Sequence, residues 1–108
     1  MTVAPPGEFG KPRPALVLQS DGPALLETLT YLPITSDLLH VPDLRVPIAA
    51  TVESSLRLDS QVMVDMIQTS SLAKFGQVIG HVDALTLIRV EAALAMHLGL
   101  VDGPGTAN

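Results

Sequence analysis

Prolines and glycines interrupt the 108-residue chain throughout, nine of the first and eight of the second. Proline has no backbone N–H to donate, and both residue types mark turns. The apolar segments between them are short, so the sequence predicts several short strands joined by tight turns. We expect these strands at 15–19, 29–35, 44–48, 60–69 and 77–82.

Two of the predicted strands contain a proline, Pro33 in 29–35 and Pro47 in 44–48. Because proline cannot donate to a strand ladder, Pro33 implies an edge or a bulge late in the first strand. We expect the end of that strand at a sheet margin and the second strand at an edge. The strongest strand pattern is 60–69, in which apolar residues occupy both faces and Asp65 is the one charged member.

One segment near the C terminus predicts a helix over 84–98, because Asp83 is a typical N-cap and Gly99 a typical stop. On a helical wheel, Thr86, Arg89 and His97 share one narrow polar arc, and most of the remaining positions are apolar. Such a wide apolar surface exceeds what one sheet covers, which indicates a second partner surface, most simply a second copy of the chain.

A mass of 11.4 kDa allows one hydrophobic core and not two, since each half would lie near the lower limit for independent folding. We therefore expect a single domain over 1–101 and a disordered tail over 102–108. The predicted elements fit a mainly β or α+β fold, a small curled antiparallel sheet followed by a C-terminal helix.

The composition excludes several function classes. A net charge of −5 argues against a non-specific polyanion binder, and an aromatic content of 3% argues against a base-stacking platform. The absence of cysteine excludes disulfides, thiolate metal sites and a cysteine nucleophile. No secretory signal or long apolar run is visible, so we expect a cytoplasmic protein that does not enter a membrane.

Histidine spacing gives no sign of a metal centre. His40, His81 and His97 are far apart, and none has a carboxylate or second histidine at a typical ligand spacing. His97 fits a helix-end cation, and the other two fit hydrogen-bonded structural roles. We expect neither a metal ion nor another cofactor.

Two short segments could together form an anion site. Lys11 and Arg13 alternate with prolines just before a predicted strand, and strand 29–35 ends in Thr35, Ser36 and Asp37. Each segment alone is typical of a solvated turn or a turn cap. Combined, a fixed guanidinium and a neighbouring hydroxyl can hold a phosphate and stabilise the charge of a phosphoryl transition state.

These segments resemble the MazF/PemK-like toxins of bacterial toxin-antitoxin systems. The matching pieces are 10–21, 32–36, 62–69 and 76–80 followed by the helix, in the family's order and with similar spacing. The resemblance extends over roughly residues 7–100. It implies an SH3-like, CcdB/PemK-type antiparallel barrel of about five strands with a C-terminal helix, assembled as a homodimer.

The resemblance also implies a function. Family members are sequence-specific endoribonucleases that cleave single-stranded RNA without a metal, arrest growth and are neutralised by a cognate antitoxin. By resemblance, Arg13 falls on the catalytic arginine and Thr35 on the catalytic threonine. Cleavage proceeds by attack of the ribose 2′-hydroxyl on the adjacent phosphorus. An arginine stays protonated at neutral pH, so Arg13 is expected to stabilise the phosphorane rather than to act as a base.

Substrate contacts are a further expectation. Polar side chains near the matched motifs offer a mixture of donors and acceptors that suits splayed RNA bases and their phosphates. They are Lys11, Gln19, Ser36, Asp65, Gln68 and Thr69. Ordinary strand or turn chemistry explains each of them equally well, and a buried Asp65 would require a partner.

Two other functions are compatible with the sequence. A non-catalytic or weakened toxin of the same barrel fold could poison a protein such as DNA gyrase, as the related CcdB-type toxins do. Those toxins act through the end of a C-terminal helix that carries aromatic residues, which 95–101 lacks. A structural dimer module without toxicity is the third possibility.

Overall fold

The computed structural model describes residues 2–3, 13–18 and 27–101. The predicted tail 102–108 lies outside the described residues, as do the site candidates Lys11 and Gln19.

Within this part of the chain, seven short antiparallel strands precede one helix. The strands are β1 (Thr2–Val3), β2 (Ala15–Val17), β3 (Thr28–Thr35), β4 (Arg45–Ile48), β5 (Ser60–Met63), β6 (Gln68–Ser71) and β7 (Val78–Gly80). The helix α1 spans Ala84–His97.

The fold class expected from the sequence is confirmed, an antiparallel sheet with a C-terminal helix. The strand order is β4-β5-β3-β2-β1-β7, and β6 pairs with the first half of β3. Because this path ends at β4 and β7, the sheet formed by the described strands is open and does not close into a barrel.

The prediction of one continuous strand over 60–69 is wrong. A 3₁₀ turn at Val64–Met66 separates β5 from β6. Val64 remains fully buried, and its N–H donates to the carbonyl of Leu44 at 2.9 Å, so the chain turns into the core at this point. Alternation of apolar residues does not reveal such a turn, because the pattern resumes on the far side of it.

The two strand prolines have different outcomes. β4 ends the strand path, so the predicted edge position of Pro47 is confirmed. The predicted margin at Pro33 is wrong, since β3 is central. The N–H of Ile34 donates to Pro14 on the β2 side, so the nitrogen of Pro33 points to the opposite side. On that side of β3 the paired strand changes from β6 to β5. No hydrogen bond between strands therefore requires the N–H that Pro33 lacks.

The core lies between the sheet and α1. The helix contributes Val90 and Ala93, and it packs against β4 and the 3₁₀ turn. Burial of aliphatic side chains of this size stabilises a fold by about 1.5–3 kcal/mol each. The buried cluster comprises Leu16, Leu32, Ile34, Val46, Ile48, Val62, Val64, Val90 and Ala93.

The predicted ends of the helix are confirmed. Asp83 accepts a hydrogen bond from the backbone N–H of Thr86 at 2.7 Å, and Gly99 adopts a positive φ of 75° after the last turn. Hydrogen bonding from Thr86 holds the pKa of Asp83 below its ordinary value of 3.8. Among the described residues, no helix is long and apolar enough to cross a bilayer.

Gly80 lies where the backbone of another segment leaves no room for a side chain. A Cβ at this position would overlap the backbone carbonyl oxygen of Glu53, whereas one at Gly99 would meet nothing within 4 Å. We expect Gly80→Ala to lower the free energy of unfolding by about 3 kcal/mol, because two backbone segments must separate. Gly99→Ala is the matched control and should cost only about 1 kcal/mol, from its left-handed backbone. Urea denaturation measures both, and equal losses would contradict this packing.

The N-cap carboxylate predicts a pH dependence. Because the folded-state pKa of Asp83 is lowered, its contribution to stability is complete above pH 3.8 and is lost as pH falls through the folded pKa. We expect Asp83→Ala to lower Tm at neutral pH and this difference to shrink in acid. Asp83→Asn retains a capping oxygen that does not titrate, so its Tm offset from Asp83→Ala should persist in acid. Calorimetry from neutral to acidic pH measures the Tm of all three proteins. A Tm deficit of Asp83→Ala that stays the same at every pH would rule out the Asp83 carboxylate as its cause.

Candidate functional site

The pairing of β2 with β3 brings the two predicted catalytic residues together. The register places Ala15 opposite Pro33, and the N–H of Ile34 donates to the carbonyl of Pro14 at 3.2 Å. Continuing this register by two residues places Arg13 opposite Thr35. Side chains directly opposite each other in an antiparallel pair have Cβ atoms about 5 Å apart.

Arg13 and Thr35 line one cavity of about 380 Å³. Its walls are the entrance to β2, the end of β3, the loop before β5 with the first residue of β5, and one residue of β7. The lining includes two arginines and four hydroxyl side chains, and no aspartate or glutamate among the described residues. The lining residues are Arg13, Pro14, Ile34, Thr35, Ser36, Ser55, Leu56, Arg57, Leu58, Ser60 and Ile79.

The hydroxyl of Thr35 is oriented by its own turn. Its Oγ1 accepts a hydrogen bond from the backbone N–H of Asp37 at 3.0 Å. This contact uses a lone pair and leaves the O–H proton free to donate. Within the described part of the chain, Ser36 makes no side-chain hydrogen bond, so both hydroxyls at the end of β3 are available to an anion.

The segment that follows Thr35 is held by Gln61, which pairs with Thr35 across β3 and β5. The side-chain amide of Gln61 donates to the carbonyl of Leu39 at 2.9 Å and accepts from the N–H of Leu39 at 3.0 Å. These two bonds restrain the loop on the far side of Ser36. The segment that follows the cavity wall is therefore anchored to β5.

Gln68 and Thr69 lie at the other end of β3 from the cavity. The hydroxyl of Thr69 is 3.1 Å from that of Thr30, and Gln68 Oε1 accepts from the hydroxyl of Tyr31 at 3.2 Å. Thr30 and Thr35 are about 16 Å apart along an extended strand. The structure thus groups Arg13, Thr35 and Ser36 and separates Gln68 and Thr69 from them.

Asp65 does not line the cavity, and its Oδ1 atom is buried. Its Oδ1 lies 3.8 Å from Nε of Arg45, with side-chain exposures of 26% and 14% respectively. The partner that the sequence requires for a buried Asp65 is therefore Arg45, which neutralises its charge. Both atoms are buried and lack a hydrogen bond among the described residues.

Sequence reasoning missed the wall of the cavity that comes from the loop before β5. Ser55, Arg57 and Ser60 reach the cavity from a segment 20 or more residues after Thr35. Nothing local in Glu53–Asp59 distinguishes this stretch from an ordinary charged turn. The one signal available was scarcity, because Arg57 is one of only six Lys and Arg residues in the chain.

The charges around the cavity are unbalanced. Neither Arg13 nor Arg57 has an ion-pair partner among the described residues, where Arg45 and Asp65 form an ion pair. Over the same residues, no three His, Asp or Glu side chains cluster in a way that would hold a metal ion. The site is thus a cationic, hydroxyl-lined cavity suited to a phosphate.

The chain is similar in sequence to one protein family and to a bacterial relative. Residues 2–98 match the model of a family described as PemK-like, MazF-like toxin of type II toxin-antitoxin system. A probable endoribonuclease MazF of Mycolicibacterium smegmatis is 30% identical over 100 residues, which cover 92% of each chain.

Solved structures match the fold. The Mycobacterium tuberculosis toxin MazF-mt6 superposes with a TM-score of 0.77 at 25% identity, covering 92% of this chain and 97% of that one. A mycobacterial endoribonuclease solved with its cognate antitoxin gives a TM-score of 0.75 at 20% identity, with coverages of 94% and 95%. The second likeness is one of fold alone.

Proposed function

Because the chain belongs to the PemK-like, MazF-like toxins of type II toxin-antitoxin systems, we propose that it arrests growth by cleaving single-stranded RNA, messenger RNA in particular. The observation that carries the proposal is the cavity shared by Arg13 and Thr35, which has cations and hydroxyls and no carboxylate among its described residues. The 30% identical mycobacterial relative is named as an endoribonuclease, which supports the same activity.

The chemistry uses a nucleophile that the substrate carries. The ribose 2′-oxygen attacks the adjacent phosphorus and releases its proton, the P–O5′ bond breaks, and the 5′-oxygen takes up a proton. The products are a 2′,3′-cyclic phosphate and a free 5′-hydroxyl. Because the nucleophile is internal, the reaction does not require a metal-activated water, and we propose cleavage without a metal.

The residues of this chain act on the phosphate. The Arg13 guanidinium, a planar cation that binds phosphate oxygens in a bidentate manner, stabilises the negative charge that accumulates on the phosphorane. Thr35 donates its free O–H to a non-bridging oxygen, while Asp37 N–H holds its orientation. Ser36 supplies a second donor at the same strand end.

The remaining substrate residues are proposed at positions beyond the cleaved phosphate. Lys11 immediately precedes the Pro12-Arg13 step, and Gln19 follows β2. Gln68 and Thr69 would contact only nucleotides that extend along β3, and Asp65 only if it left Arg45. These side chains belong to sequence recognition rather than to the chemical step.

The cleavage proposal predicts the behaviour of two variants. Purified protein incubated in EDTA with RNA of mixed sequence should give discrete fragments with 5′-hydroxyl ends. Arg13→Ala and Thr35→Val should each lower kcat by about 10²–10³, because each removes a donor to the transition state. Arg89→Ala, which removes an exposed helix cation outside the cavity, is the matched control and should leave kcat unchanged.

Two outcomes would contradict the cleavage proposal. One is the absence of RNA cleavage by the wild-type protein at any site. The other is growth arrest without cleavage that persists in Arg13→Ala, which would favour poisoning of a protein target.

We also propose that the protein is a homodimer. Leu85 and Ile88 are 56% and 60% exposed on α1, and Ala92 continues the same exposed face. Burial of this apolar face against a second copy is favoured by the hydrophobic effect.

The dimer predicts a sedimenting species of twice 11.4 kDa at micromolar concentration. Leu85→Glu combined with Ile88→Glu should shift it to the monomer, because the charges cannot be buried without a partner. Arg89→Gln on the neighbouring polar arc is the control and should not. A wild-type protein that sediments only as the monomer would refute the dimer.

A cognate antitoxin is the remaining proposed partner. The family model describes toxins of toxin-antitoxin pairs, and the mycobacterial structure of the same fold contains a cognate antitoxin. We place the activity in the cytoplasm, where messenger RNA and an antitoxin are both synthesised. A short antitoxin reading frame next to this one would support the pairing.

A further inference from the structure

The structure assigns Arg57 as a second phosphate-binding residue, which holds the phosphate next to the cleaved one; this inference rests on the proposed RNA substrate. Arg57 lines the cavity from the loop before β5, on a different wall from Arg13 and Thr35. One guanidinium and the hydroxyls beside it are enough to stabilise the negative charge of a single phosphorane. A second unpaired arginine in the same cavity therefore suits a second anion.

The nearby carboxylate does not neutralise Arg57. Asp59, two residues further on, directs Oδ1 to the backbone N–H of Ala50 at 2.7 Å and closes the base of the loop. Asp59 does not line the cavity, and no described carboxylate lies within ion-pair distance of Arg57. In a chain of net charge −5, this leaves the Arg57 guanidinium free for a ligand.

The loop that carries Arg57 is held from inside by Ser54, which is 3% exposed. The hydroxyl of Ser54 donates to the carbonyl of Ala49 at 2.9 Å and accepts from the N–H groups of Thr51 and Leu56 at 3.0 and 3.3 Å. This one side chain links both arms of the loop. The backbone up to Leu56, the residue before Arg57, is therefore held by hydrogen bonds to a buried side chain.

The loop is also fixed to β7. The N–H of His81 donates to the carbonyl of Glu53 at 2.7 Å, and the backbone of Gly80 packs directly against Glu53 and Ser54. Ser55 has a φ of 58°, the one positive value recorded for a described residue other than glycine. A backbone held in a left-handed conformation persists only where its surroundings enforce it, and such positions cluster at ligand sites.

A fixed backbone explains why Arg57 can contribute to affinity. Ordering a long side chain costs conformational entropy, and a preformed loop removes the backbone part of that cost before RNA binds. The planar guanidinium then binds a phosphate in a bidentate manner. Arg57 thus positions the strand, whereas Arg13 and Thr35 act on the reacting phosphorus.

The test separates binding from cleavage. Arg57→Ala should raise KM for RNA cleavage by 10-fold or more and change kcat by less than about threefold, because uniform binding is lost and chemistry is not. Arg89→Ala, with the same loss of charge outside the cavity, should change neither. Since Arg57 is exposed and unpaired, Arg57→Ala should retain the wild-type Tm.

Equilibrium binding provides the second measurement, with RNA of mixed sequence made non-cleavable by 2′-O-methyl groups. For Arg57→Ala the slope of log Kd against log salt concentration should fall by about 0.7, as for one lost phosphate contact on a single strand. In a 2′-O-methylated RNA of a sequence that the protein cuts when unmodified, a neutral methylphosphonate next to the cleavage-site linkage should weaken wild-type binding. It should have no additional effect in Arg57→Ala.

Two results would overturn the assignment of Arg57 as a phosphate-binding residue. Equal KM values and salt slopes for Arg57→Ala and Arg89→Ala would overturn the assignment. So would a loss confined to kcat, because Arg57 would then act on the cleaved phosphate itself. If the wild-type protein binds the 2′-O-methyl RNA and never cleaves unmodified RNA, the proposed nuclease fails, while the salt slope still tests Arg57.

Discussion

The contact between Leu16 and Leu32 fixes the geometry on which the site depends. These residues face each other across β2 and β3, and both are fully buried. A slip of one residue by either strand would turn the leucine of that strand away from the core, so the register is strongly specified. Because Arg13 and Thr35 lie three residues from them on the same two strands, the register of the core also sets their separation.

The cavity combines two kinds of structure. The ends of β2 and β3 supply the groups proposed to act on phosphorus, and their positions follow from strand pairing. The loop before β5 supplies a second arginine, and its position follows from Ser54 and from the contact of Glu53 with β7. The position of this loop is therefore set by two strands of the sheet: β5, into which the loop continues, and β7, which it contacts.

Local charge matters more here than net charge. The chain has five more acidic than basic residues, yet several carboxylates are directed away from the cavity. Asp59 binds a backbone N–H, Asp65 faces Arg45, and Asp83 caps the helix. The described lining of the cavity therefore carries two arginines and no carboxylate, although the chain as a whole is acidic. This arrangement favours a few defined phosphate contacts over a broad attraction to any nucleic acid.

The sequence alone determined the features that depend on neighbours in the chain: the strands at β2, β3, β4 and β7, the helix with its Asp83 cap, and the antiparallel fold class. It also identified Arg13 and Thr35, because each lies in a short motif that can be recognised from neighbouring residues. The resemblance that these motifs support is confirmed at the level of the family.

Tertiary structure decided what depends on residues distant in sequence. The interruption of 60–69, the central place of Pro33 and the distance of Gln68 from the cavity all follow from β3 changing its partner from β6 to β5. Arg57 entered the site for a related reason, since only the folded sheet brings its loop beside Arg13. The alternation of apolar residues shows which side chains of a strand are buried. It does not show which strand lies beside it, because the alternation is the same whichever partner the strand pairs with.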